Sequence, residues 1–168
     1  MDMDFVERPA LMLMGMGFFG DPFRDAGDWS ENNEIGRLSQ RYMDFSAAHR
    51  DSLDRLLTSR DFYEVHIYNA ETTVKGQFEV FVGQPVGAVE GVPLELSCKI
   101  LPAGNFARVF LQGETIISDW YRDLDQELAR QGRQRGQPFF FQVYDQRYKG
   151  LDRIAESELS AFIPVKSL

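Results

Sequence analysis

LPAGNFARVFLQG, residues 101–113, echoes RPALMLMGMGFFG, residues 8–20. Pro-Ala stands at 9–10 and again at 102–103, and both runs close on glycine the same distance later, at Gly20 and Gly113. Each run is short, apolar and bounded by turn-forming residues, so each reads as a strand. The segments downstream of the two runs are alike as well. After the first, a polar loop from Gly20 to Trp29 leads to Ser30, a candidate N-cap with Glu31 and Glu34 in the first turn. Ile35, Leu38, Tyr42, Phe45, His49 and Leu56 then recur at helical spacing. Two strands, FYEVHIYN (62–69) and QFEVFVG (77–83), are joined by a polar turn. After the second run, Ile117, Trp120, Tyr121, Leu124 and Leu128 mark a helix that Gly132 stops, followed by strands FFFQVYDQ (139–146) and SELSAFIPV (157–165).

The later strands also align. HIYN (66–69) lies over QVYD (142–145), pairing Tyr68 with Tyr144, and FEVFVG (78–83) lies over LSAFIP (159–164), pairing Phe81 with Phe162. The sequence therefore predicts one α+β domain over 1–168. It comprises two pseudo-symmetric β-α-β-β repeats, about 5–90 and 94–168, each an antiparallel sheet with its helix on one face. If the halves meet around a pseudo-two-fold axis, the other faces line a central ligand cleft. Alternation along QPFFFQVYDQRY (137–148) gives Phe141 and Val143 one face and Phe140, Gln142 and Tyr144 the other. The purely apolar set is assigned to the helix side and the mixed set to the cleft.

Composition limits the function. With 26 acidic against 18 basic residues the net charge is −8, which disfavours nucleic acid as a partner, because phosphate contact needs a basic footprint. The single cysteine, Cys98, excludes an internal disulfide and a cysteine-based zinc site, and fits a reducing cytoplasm. The N-terminus MDMDFVERPA carries acids where a signal peptide would be basic, and no apolar run approaches the ~20 residues of a membrane span. Gly15-x-Gly17-x-x-Gly20 matches a dinucleotide fingerprint only formally. No helix opens at the glycines, so they read as easing close approach in a strand. The two histidines, His49 and His66, lie on different elements without carboxylate or cysteine at ligand spacing, so no metal and no cofactor is expected. His49 reads as a partly buried packing residue, and His66 shares the parity of Tyr68.

On ERPALMLMGMG, FEVFVGQPV, LPAGNFARVF, FFFQVYD and SELSAFIPVK, the chain resembles the gyrase-inhibitor-like (GyrI-like) small-molecule-binding domain. This is also the effector-binding domain of bacterial AraC- and MerR-type multidrug regulators. The nearest variant is the stand-alone, integron-associated effector-binding protein. The resemblance covers essentially the whole chain. It implies two repeats around a cleft that takes hydrophobic, often cationic, aromatic compounds; some relatives hydrolyse small strained-ring compounds. Two departures stand out. Relatives often carry an acid where Gln142 stands here, and no helix-turn-helix is expected ahead of a first strand that begins near residue 8. Glu158 matches the family's late acidic position.

The candidate ligand-binding set is Glu158, Tyr68, Phe81, Phe110, Trp120, Phe140, Gln142, Tyr144 and Phe162, with Glu79 the equivalent acid of the first repeat. A carboxylate among ring faces attracts a cation, each ring adding about 0.5–2 kcal/mol. The leading expectation is a cytoplasmic effector-binding or drug-sequestering protein, a monomer or homodimer, that captures a hydrophobic or cationic aromatic small molecule. A hydrolase of strained electrophiles, with Glu158 orienting water and Tyr68 or Tyr144 holding the developing anion, is the second expectation. An acidic module that binds a basic protein partner is the third.

Overall fold

The computed structural model describes residues 1–24 and 32–168. Ser30, Glu31 and part of the Gly20–Trp29 loop lie outside them. The described chain forms an α+β fold of two compact units: a middle unit, Leu11–Leu101, and a terminal unit that combines Met1–Ala10 with Pro102–Leu168.

Strand β1 spans Met3–Arg8 and β2 spans Leu11–Gly20. Helix α1 (Glu34–Ala48) and the short α2 (Arg50–Leu53) precede β3 (Phe62–Ile67), α3 (Ala70–Lys75) and β4 (Phe78–Pro85). Strands β5 (Ser97–Leu101) and β6 (Gly104–Gln112) open the second half, which continues through a 3-10 turn at Gly113–Ile117 to α4 (Leu124–Arg130). Then come β7 (Arg133–Arg135), β8 (Phe139–Tyr144), a second 3-10 segment at Leu151–Glu156 and β9 (Glu158–Ser167).

In the middle unit β4 pairs with β3 on one side and with β2 on the other, and β2 pairs in turn with β5, all antiparallel. In the terminal unit β6 lies between β1 and β9, while β9 also pairs with β8 and, further along, with β7. The two sheets follow one plan, with a twist of connectivity. Along the chain β1 leads into β2 and β5 into β6, yet β1 pairs with β6 and β5 with β2. Each repeat's first strand therefore completes the sheet of the other repeat.

The helices differ from expectation at their ends. Helix α1 starts at Glu34 because Asn33 caps it, its side-chain oxygen accepting from the Gly36 N–H at 2.8 Å. It ends at Ala48, so the predicted stripe breaks at His49, which is exposed with its ring 4.4 Å from that of Phe45. The second helix is shorter than its stripe: Trp120 and Tyr121 sit in a turn before α4. The polar turn expected between β3 and β4 contains α3, held by a capping box between Asn69 and Thr72 and ended by Gly76 at φ 67°.

In the middle unit, Ile35, Leu38 and Tyr42 of α1 pack on Met14, Met16, Phe78, Val80 and Val82. Removing such side chains from water contributes roughly 1.5–3 kcal/mol each. Gly15 and Gly83 face each other across β2 and β4. A Cβ at Gly15 would land on the Val82 carbonyl, and one at Gly83 on that of Met14. Of the false fingerprint, Gly15 thus serves close strand approach. In the terminal unit alternation buries Ala107, Val109, Leu111, Leu159, Ala161 and Ile163 on one face, and α4 contributes the buried Leu124 and Leu128.

Candidate functional site

The ladders decide which predicted site residues share a face. In β8 and β9, Phe141 stands opposite Phe162 and Val143 opposite Ser160, so these four project together. Phe140, Gln142 and Tyr144 take the other face, where the Phe140 ring meets Trp120 at 5.8 Å and Tyr121 at 5.0 Å. The parity assignment is therefore reversed: Phe141 and Val143 share the face of Phe162, and the mixed set lies beside the residues leading into α4. Gln142 is fully buried and accepts the Tyr144 hydroxyl at 2.8 Å. Trp120 is buried too. In the middle unit Tyr68 belongs to the α1 face, its ring 5.3 Å from Phe78. His66 is on that face as well, buried, bonded to Glu64 at 2.7 Å and stacked on Phe78.

The face opposite each helix carries a matched cluster. In the terminal unit it is Phe106, Phe139, Phe141 and Phe162, and in the middle unit Leu13, Tyr63, Val65 and Phe81; all eight are buried. Phe141 and Phe162 stack at 5.0 Å, Phe106 meets Phe141 edge-on at 5.6 Å, and the Arg8 guanidinium lies 4.2 Å from the Phe162 ring centre. Phe110 lies on this same face beneath Arg108 at 4.8 Å, and Arg108 is held by Asp4. Hydrogen bonding from Arg108 holds the Asp4 carboxyl below its ordinary range.

In the middle unit Phe81 and Glu79 share the face opposite α1. Lys99 reaches across from β5: its ammonium bonds Glu79 Oε1 and lies 5.6 Å from the Phe81 ring centre. Glu158, the acid singled out from sequence, stands instead at the first position of β9 with its side chain 46% exposed. Arg147 Nη1 lies 3.6 Å from its carboxylate. It helps line a pocket of about 390 Å³ with Gln146, Arg147, Lys149 and Glu156, a lining without an aromatic ring. Glu79 is thus a carboxylate set beside an aromatic ring, while Glu158 shares the parity of Ser160 and Phe162 at the end of its strand. Sequence reasoning missed Phe106, and also Arg8 and Lys99, whose roles depend on the exchanged pairing of β1 and β5. Among the described residues no group of three His, Cys, Asp or Glu could hold a metal. No helix among them is long and apolar enough to cross a membrane.

No family model matches the sequence, and no curated protein matches it. Solved structures do share the fold. SAV2435 bound to tetraphenylphosphonium superposes with a TM-score of 0.70 at 13% identity, covering 99% of this chain and 94% of that one. The integron cassette protein VCH_CASS2 from the mobile metagenome of Vibrio cholerae gives a TM-score of 0.63 at 15% identity, covering 98% and 95%. The C-terminal domain of EcmrR gives 0.60 at 15% identity, covering 99% and 98%. These likenesses fit the GyrI-like resemblance read from the sequence and establish the α+β fold.

Proposed function

We propose that this chain binds a bulky aromatic small molecule, preferably a lipophilic cation, and acts as a stand-alone effector-binding or drug-sequestering protein. The observation that carries the reading is the aromatic face opposite α1, where Phe81 and the Glu79 carboxylate lie side by side. A ring face and a carboxylate together favour a cation that is itself apolar, since burial and charge attraction then act on one molecule. The shared fold of a protein solved with tetraphenylphosphonium bound supports the choice of ligand class.

Calorimetric titration with tetraphenylphosphonium and with neutral triphenylphosphine oxide tests it. The protein is expected to bind both, the cation more tightly. Glu79→Gln should weaken the cation about tenfold, equivalent to about 1.4 kcal/mol, and leave the neutral compound unchanged. Glu158→Gln should affect both less. Equal losses for both ligands in Glu79→Gln would remove the carboxylate from recognition, and no binding of either by the unaltered protein would end the reading.

A further inference from the structure

We propose that Lys99 is the resident cation of a ligand site formed by Glu79, Phe81 and Gly17, and that a ligand's positive group enters by displacing it. The proposal rests on the binding function above. The Lys99 ammonium already satisfies both attractions that a ligand cation would seek, the Glu79 carboxylate and the Phe81 ring. It does so in reach of water: the Lys99 and Glu79 side chains are 25% and 35% exposed. An ion pair in contact with water is weakly held, because water competes for both charges. Lysine also sits at the end of a flexible four-carbon stem and can swing away without moving its strand.

The backbone beside the pair reaches the surface. Gly17 is exposed, and a Cβ there would stand 3.6 Å from the Phe81 ring and 3.9 Å from the Glu79 carboxylate. A side chain at this position would therefore stand against both groups. The terminal unit carries arginine at its ring faces instead: Arg8 lies over Phe162, and Arg108, bonded to Asp4, lies over Phe110. Guanidinium stays charged and stacks across rings, whereas the lysine of the middle unit is a point charge on a flexible stem.

Two measurements test the displacement. Lys99→Met should bind tetraphenylphosphonium about tenfold more tightly and triphenylphosphine oxide unchanged. In the unaltered protein, reductive methylation of Lys99, read by peptide mass spectrometry, should become faster when tetraphenylphosphonium is added, where an undisplaced lysine would be shielded. If the unaltered protein binds the cation while Lys99→Met binds it equally or less tightly and Lys99 methylation slows, displacement is wrong and the binding reading stands. Binding by Lys99→Met alone would uphold the site and overturn the reading that the unaltered chain takes this cation. Absence of binding by both proteins overturns both. Should Lys99→Met melt well below the parent, the methylation result on the unaltered protein decides.

Discussion

At the scale of single residues the fold depends on positions where an added methyl group has nowhere to go. Gly15→Ala or Gly83→Ala would drive a Cβ into the backbone of the facing strand. Either should cost about 3 kcal/mol or more, read as a fall in the urea midpoint, because β2 and β4 must separate. Gly17→Ala, with only ordinary contact distances around its new Cβ, should fold with nearly parental stability and still impair cation binding. Tyr42 gives a pH test. Burial raises its phenol pKa, so its stabilising contribution is fully present below the unfolded value near 10 and is lost as pH rises through the folded value. Between pH 8 and 11 the unaltered protein should lose stability more steeply than Tyr42→Phe. Parallel curves would show that Tyr42 does not drive alkaline loss. The residue types at the site were legible in the sequence, but not their grouping. The faces of Phe140 and Phe141 were exchanged. The long connection between β8 and β9 is not a two-residue hairpin that would fix the register, and a slip of one residue moves every side chain to the opposite face.

At the scale of elements, ends were harder to read than centres. The α1 stripe from Ile35 to Tyr42 was plain because burial imposes the helical period. Its start was not, because Ser30 and Asn33 are both good caps and only packing selects between them. Asn33 is buried and bonds the Gly36 N–H, so Asn33→Ala should cost about 1 kcal/mol, measured by denaturant melts. Unchanged stability would mean that the helix end finds another partner. Helix α3 was hidden because it buries none of its residues, leaving no periodicity to detect; only Asn69 and Gly76 signalled its ends. Strand β1 was hidden by its composition, since Asp4, Glu7 and Arg8 look like surface and yet pair along β6.

At the scale of the whole molecule, the duplication was visible in Pro-Ala and glycine spacing, while the exchange of first strands was not. A strand's partner is a long-range choice, and nothing local in Met3–Arg8 points to β6. Removing Met1–Arg8 tests the exchange. Amides along β6 should then lose hydrogen-exchange protection, while those of β2 and β4 keep it; loss confined to β2 would contradict the pairing. The most direct test of the central claim is a structure of the protein with tetraphenylphosphonium bound. The phosphonium centre should lie within about 6 Å of the Phe81 ring centre and beside Glu79, with Lys99 turned away. A ligand found instead among Gln146, Arg147, Lys149, Glu156 and Glu158, or a Lys99–Glu79 pair left intact under bound ligand, would contradict it.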